Sequence, residues 1–264
     1  MDLGLEGRVA IVTGGSRGIG RETVREFLQA GAKVMTCARH VDELEATCRD
    51  LTSATGGTLK ASAADMTKPD DIHRLVDETL TNFGTVDILV NNAGTMYSGR
   101  FEALTDEGLQ TQLDTKLFGF MRAIRAVWPT MRDKNWGRIV NLIGGAGKEP
   151  DPYMFGSGMT NSALLNLTKS LSTEFAPHNV LVNAVCPGWV ATDLWKRNVG
   201  NLQQELGAAD EDEARRLAAK KNALGRFGRP EELANAIVFL CSQRASYITG
   251  VSLNLDGGRL KGLW

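Results

Sequence analysis

The residues nearest the start of the chain whose types and spacing could do chemistry are the glycines of Thr13-Gly14-Gly15-Ser16-Arg17-Gly18-Ile19-Gly20. They follow a β-branched apolar run at residues 8–13 and precede a stretch with helical spacing. A side chain here would block a tight turn and the close approach of a pyrophosphate, and the free N–H groups at a helix start favour its charge. Set between a first strand and a first helix, such a turn points to a bound dinucleotide. The second apolar run ends Thr36-Cys37-Ala38-Arg39, with a guanidinium where a site for NAD usually carries an acid for the ribose hydroxyls. Arg17 and Arg39 together suit the planar, bidentate recognition of a 2′-phosphate, so NADP(H) is the expected cofactor and NAD(H) the second choice. The plainer alternative is a pair of solvated surface arginines.

Elsewhere the chemistry-bearing side chains are scattered. Cys37, Cys48, Cys186 and Cys241 show no CxxC and no metal-ligand spacing, and three of them lie in or beside apolar runs, as buried free thiols do. His40, His73 and His178 fall in different segments, so no metal site is expected. A net charge of -1, from 30 basic and 31 acidic residues spread along the chain, provides no basic face for nucleic acid or membrane. A small-molecule substrate is the expected partner.

The elements that must position these residues follow from hydrophobic periodicity. Short apolar runs at 8–13, 33–37, 59–63, 88–91, 138–142, 181–185 and 252–255 alternate with helical spacing at 20–30, 42–55, 69–83 and 105–131. That alternation predicts an α/β fold, a doubly wound parallel sheet with helices on both faces. The 264 residues, 42% hydrophobic and 23% charged, show no repeat and no linker, so residues 1–264 read as one domain. Residues 189–224, with a charged helical stretch at 210–221, interrupt the pattern just after a strand, where a substrate lid commonly forms; a solvated surface helix explains them equally. The opening MDLGLEGRVAIVTGG lacks the basic start and long apolar stretch of a signal peptide, and no run approaches the roughly 18 apolar residues of a membrane helix, so a cytoplasmic location is expected.

At this point the chain resembles the short-chain dehydrogenase/reductase family over nearly its whole length. TGGSRGIG matches the family's TGxxxGxG turn, and Asn91-Asn92-Ala93-Gly94 its NNAG motif. Asp65 and Met66, in AADMT, lie where relatives hold the adenine ring. Pro187-Gly188 with Thr192 matches the PGxxxT segment beside the nicotinamide. The resemblance implies a Rossmann fold and hydride transfer assisted by four residues. A tyrosine exchanges the proton, a lysine lowers its pKa and holds the ribose, a serine orients the substrate, and an asparagine anchors a water relay. Aligned on those positions this chain has Ser157 for the tyrosine, Asn161 for the lysine, Gly144 for the serine and Lys116 for the asparagine. The likeness is therefore to an atypical branch that lacks the Asn-Ser-Tyr-Lys tetrad.

Lysine and asparagine have exchanged places. Ser157 and Asn161, four residues apart, share a helix face. Lys116 lies beside an apolar stripe of Leu109, Leu113, Leu117, Phe120, Ile124 and Val127. A buried ammonium is costly without a partner, which argues that Lys116 meets a polar site; otherwise its stem packs on the stripe and its head reaches water. Tyr153, four residues before Ser157, would return a phenol to the pocket or serve as packing. Trp189 and Trp195 line an apolar pocket or pack within the lid.

Two functions are open on these residues. The first is an NADP(H)-dependent oxidoreductase moving hydride to or from a carbonyl or activated alkene, with Lys116 as cationic donor to the substrate oxygen and Ser157, Asn161 and Tyr153 around it. Dienoyl-CoA reductases, members of the resembled family, also lack the tyrosine. The second is a non-catalytic NADP(H)-binding protein, a sensor or an assembly subunit. The resemblance also implies a homo-oligomer, dimer or tetramer, through the long helices and the last strand, with Leu253, Leu255 and Gly262-Leu263-Trp264 suited to the contact.

Overall fold

The computed structural model describes residues 2–262, without the side chains of residues 197, 198, 201 and 202. Leu263 and Trp264, named above for a subunit contact, lie outside the described residues. Seven strands form one parallel sheet: β1 (Val9–Thr13), β2 (Lys33–Ala38), β3 (Leu59–Ala63), β4 (Ile88–Asn91), β5 (Gly137–Leu142), β6 (Val180–Pro187) and β7 (Ser252–Leu255). Their order is β3-β2-β1-β4-β5-β6-β7. The order reverses between β1 and β4, the kind of switch point at whose carboxyl ends open α/β sheets bind ligands.

Helices α1 (Gly18–Gln29), α2 (Val41–Thr55), α3 (Pro69–Phe83), α4 (Asp106–Gln112), α5 (Gly119–Asp133), α6 (Phe155–Phe175), α7 (Asp193–Leu206), α8 (Glu211–Lys220) and α9 (Pro230–Cys241) surround the sheet. The period of two along β1 divides its side chains between the faces. Ala10 and Val12 enter one core with Val24 and Phe27 of α1 and Ile237 of α9. Ile11, between them, enters the other with Leu75 of α3 and Ile124 and Val127 of α5. Burying both faces is why these runs read as continuously apolar, and each large side chain so buried stabilises by roughly 1.5–3 kcal/mol. Local signals agree: α3 begins on Pro69 with Asp70 and Asp71 in its first turn and ends at Gly84, whose φ of 77° only glycine adopts freely.

The stretch 105–131 departs from the single helix expected of it. It is α4, then a π-helical segment Leu113–Phe118, then α5. The wider π turn takes an extra residue, so one 3.6-residue wheel cannot describe the whole stretch. Phe120, Ile124 and Val127 are buried, whereas Leu109, Leu113 and Leu117 are only half-buried. Residues 189–224 contain α7 and α8, joined by their own small core of Trp195, Val199, Ala214, Ala218 and Phe227. Among the described residues no helix is long and apolar enough to cross a membrane.

Candidate active site

The glycine turn is held from two sides. The N–H groups of Gly14 and Gly15 donate to the Cys37 carbonyl, at 2.9 and 3.2 Å. Asn92 Nδ2 donates to the carbonyls of Thr13 and Gly14, at 2.9 and 3.0 Å, and the N–H groups of Asn92 and Ala93 donate to Thr13 Oγ1. The NNAG segment thus pins the turn that faces it. No side chain fits there: a β-carbon on Gly20 would stand 2.2 Å from the Gly14 carbonyl oxygen, and one on Gly14, where φ is 72°, 2.9 Å from Ala93 Cα. Helix α1 opens next, its N-cap Arg17 making no side-chain cap and its first turn carrying no acid. A cradle that only glycine permits, opening on free N–H groups, fits a dinucleotide pyrophosphate.

The other residues expected at the cofactor make the following contacts. Ser16 is buried, its carbonyl accepting from Thr47 Oγ1 at 2.8 Å, and Ile19 packs on the core. Thr192, at the start of α7, forms the facing wall, its Cγ2 3.3 Å from where a β-carbon on Gly18 would be. Pro187 ends β6, and Gly188 lies so close to Asp256 that a β-carbon would be 2.7 Å from Asp256 Cα. Asp65 accepts from the Thr67 N–H and hydroxyl, both at 2.9 Å, while Met66 is buried. Asn91 Nδ2 donates to Asn141 Oδ1 at 2.9 Å, continuing to Thr168. Arg39 is exposed and without an ion pair among the described residues, whereas Arg17 pairs with Glu43 at 3.7 Å.

Lys116 and Asn161 come together. Lys116, from the π segment, donates from Nζ to Asn161 Oδ1 of α6 at 2.8 Å. The lysine stem crosses Gly94, where a β-carbon would be 3.6 Å from Cδ, and Asn161, 2% exposed, lies against Gly144 and Gly147. Some of the lysine surface stays accessible, yet burial around the ammonium pulls its pKa down from 10.5 to about 8, opposed by Cys186. Among the described residues no carboxylate pairs with it. Burial pushes the Cys186 thiol up to about 11, against the pull of Lys148 and Lys116. Lys148 itself donates to the Ser252 carbonyl and to Asn254 Oδ1.

Ser157 and Tyr153 take other places. Ser157 Oγ accepts from the Tyr97 N–H at 3.0 Å and donates to the Tyr97 carbonyl at 3.2 Å. Its hydrogen bonds tie α6 to the segment after β4, which leaves no free proton for substrate. Tyr153 Oη accepts from Arg100 at 2.7 Å, and the guanidinium stacks on the ring at 4.4 Å, so the phenol faces Arg100 and not the Lys116–Asn161 pair. Trp195 packs edge-on to Phe227 at 4.8 Å within the α7–α8 core.

Three residues near the site had no signal the sequence reading used. Tyr97 occupies a slot between Gly108 and Gly156, either of which would strike its ring with a β-carbon, and its hydroxyl accepts from the Thr105 N–H. Gln112, 1% exposed, accepts from Thr95 Oγ1 at 2.6 Å and reaches Ser157 at 3.5 Å. Arg259, beyond β7, stacks on Trp189 at 4.7 Å and pairs with Asp151 at 3.6 Å, drawing the chain end across the loops after β5 and β6.

Comparison with known proteins identifies the family. A family model described as enoyl-(acyl carrier protein) reductase matches residues 14–259. The 3-oxoacyl-[acyl-carrier-protein] reductase FabG of Aquifex aeolicus is 32% identical over 258 residues, 98% of this chain and 99% of that protein. The uncharacterized oxidoreductase YvrD of Bacillus subtilis is 33% identical over 270 residues, all of both chains. The solved structure of L-sorbose reductase from Gluconobacter frateurii, complexed with NADPH and L-sorbose, superposes with a TM-score of 0.93 at 34% identity and covers 100% of both chains. With a matching model over most of its length, relatives end to end and the glycine cradle in place, this chain belongs to the short-chain dehydrogenase/reductase family.

Proposed function

We propose that the protein is an NADP(H)-dependent oxidoreductase of a carbonyl or activated alkene, and that it works with a rearranged proton-transfer site. The observation that carries this is the 2.8 Å contact between Lys116 Nζ and Asn161 Oδ1. Where the family keeps asparagine and lysine this chain has the reverse, and the exchange keeps an ammonium and a carboxamide in contact. Simple loss of function gives no reason for a half-buried lysine to find its partner on another helix.

Gly14, Ser16, Gly18, Ile19 and Gly20 would hold the pyrophosphate, Arg17 and Arg39 the 2′-phosphate, and Asp65 and Met66 the adenine. Asn91, Ala93, Gly94, Pro187, Gly188 and Thr192 would line the nicotinamide half. Support for NADP(H) comes from the exposed, unpaired Arg39 and from the NADPH in the sorbose reductase complex. Held there, a nicotinamide would supply the hydride chemistry. Lys116 then holds the substrate oxygen with one Nζ proton and delivers it as charge develops; a pKa of about 8 keeps it mostly protonated at neutral pH while making it a better acid than an ordinary lysine. Asn161 aims the ammonium, and Ser157 fixes the wall formed by Tyr97. Residues 189–224 would close over the substrate.

The test is NADPH consumption by the purified protein with a panel of ketones, aldehydes and enones, repeated with Lys116→Met. Turnover that disappears in the variant, with NADPH affinity retained, is the expected result. No turnover with any member of the panel, beside tight NADPH binding, favours the non-catalytic reading. Full activity in Lys116→Met removes the proposed role of the lysine.

A further inference from the structure

Among the described residues the Lys116 ammonium has no counter-ion. Charges taken out of water are held by opposite charges or by several hydrogen bonds, and here there is one neutral acceptor, Asn161 Oδ1. Its titratable neighbour is Cys186 of β6, a thiol that stays neutral to about 11, with Lys148 beyond it adding positive charge. From the β4 side comes Gly94, and from α6 the uncharged Asn161.

The carboxamide has only one orientation that suits an ammonium. Oδ1 must face Nζ, which turns the two protons of Nδ2 the other way. They point across Gly144, where a β-carbon would stand 2.9 Å from Nδ2, and no protein group accepts from them among the described residues. Asn161 is 98% buried as a residue, yet Nδ2 is not among the fully buried side-chain atoms left without a partner, so this donor opens on accessible space. Lys116 and Asn161 therefore present donors, and no acceptor, to a space walled by glycines at 94 and 144. Ser157, whose hydroxyl is engaged by the Tyr97 backbone, supplies nothing to it.

We propose that this space is an anion cradle for a carboxylate or enolate oxygen, with Lys116 Nζ and Asn161 Nδ2 as its donors and Gly144 as the residue that keeps it open. It deepens the reading of Lys116 as the partner of the substrate oxygen, on which it rests. It makes small carboxylates ligands of the cofactor complex, because their charge matches the oxyanion that hydride transfer creates and their planar geometry that of an enolate. It also couples three of the departures from the family pattern. A serine at 144 would collide with Asn161, and without Asn161 the ammonium has no partner.

Acetate, propionate and benzoate are to be titrated calorimetrically into the protein saturated with NADP+, with their primary amides as neutral controls. The acids are expected to bind and the amides to bind at least about tenfold more weakly, the scale of a charge-assisted hydrogen bond. Acid affinity should fall as pH rises from 7 through 9.5, and Asn161→Leu and Gly144→Ser should each weaken it about tenfold with NADP+ affinity retained. Equal binding of amides and acids, an affinity flat across that pH range, or displacement of the acids by NADP+ overturns the proposal. The wild-type pH series needs no variant, so misfolding of a variant leaves a decisive reading. Carbonyl turnover without carboxylate binding refutes the cradle alone; carboxylate binding without turnover on any carbonyl refutes the oxidoreductase reading alone.

Discussion

Replacing Lys116 by methionine separates the cost of this lysine from its use. Folding takes the ammonium from water, where its pKa is 10.5, to a place where it is about 8. Below pH 8 the folded protein bears the whole cost, roughly 3 kcal/mol by proton linkage. Between about 8 and 10.5 the unfolded chain holds the proton and the folded one does not, so wild-type stability rises with pH across that window. Methionine removes the titration and preserves the stem, but leaves Asn161 Oδ1 without its donor, a loss of about 1–3 kcal/mol that does not vary with pH. The absolute difference at pH 7 is then small, and the information lies in its slope. Urea unfolding of both proteins from pH 7 to 10 should show wild type gaining on the variant by on the order of 2 kcal/mol. Lysines, tyrosines and cysteines away from the site titrate alike in both and cancel, and Cys186, whose folded thiol feels Lys116, is held neutral to about 11, above the range measured. A gap constant to within about 0.5 kcal/mol would mean that the ammonium is solvated in the folded state, and the argument for a desolvated donor would fail.

Arg39→Ala should weaken NADPH binding by about tenfold or more while leaving NADH unchanged, because only the former carries the phosphate that the exposed guanidinium would meet; paired calorimetric titrations read both, and equal losses for the two cofactors argue against a 2′-phosphate contact. Gly20→Ala drives a methyl group to within 2.2 Å of the Gly14 carbonyl oxygen, so NADPH binding should vanish with the far-ultraviolet circular dichroism retained; normal affinity would mean the turn yields more readily than its packing implies. Glu232, pulled down to about 2 by the hydrogen bond from Arg226 and then by the Arg229 N–H, has a folded pKa below its ordinary 4.5. Its contribution is present above 4.5 and lost as pH falls toward 2, so wild type should lose stability more steeply than Glu232→Gln in urea titrations from pH 6 to 2.5. Parallel curves would contradict the ion pair.

What could be read from the sequence was governed by period and by glycine. The central strands are short apolar runs because both sheet faces are covered there, so β4 begins and ends where its run does; the edge strands β3 and β7 match their runs as well, although much of their surface is exposed. The cofactor turn was legible because a glycine next to a backbone has no substitute. That Lys116 meets a polar group followed from the cost of burying a charge, but its partner Asn161, on another helix, did not, and the helical wheel was wrong in detail: a π segment has no compositional mark, and Leu113-Asp114-Thr115-Lys116-Leu117-Phe118 reads as ordinary helix. The roles of Ser157 and Tyr153 were out of reach. Ser157 is spent on the backbone of Tyr97, and Tyr153 on Arg100, both more than fifty residues away in sequence. The slot for Tyr97 needs two glycines, Gly108 and Gly156, that come together only in the fold. The same holds for Arg259, which reaches Asp151 and Trp189 only once β7 has paired with β6.

The most direct measurement of the central claim is the pH dependence of NADPH-driven carbonyl reduction by the wild-type protein, followed under single-turnover conditions from pH 6 to 10. With Lys116 as the proton donor, the rate should hold below pH 8 and decline about tenfold for each pH unit above it, as the ammonium is lost. A rate that stays level to pH 10 would contradict the account, because it would place the proton on another group.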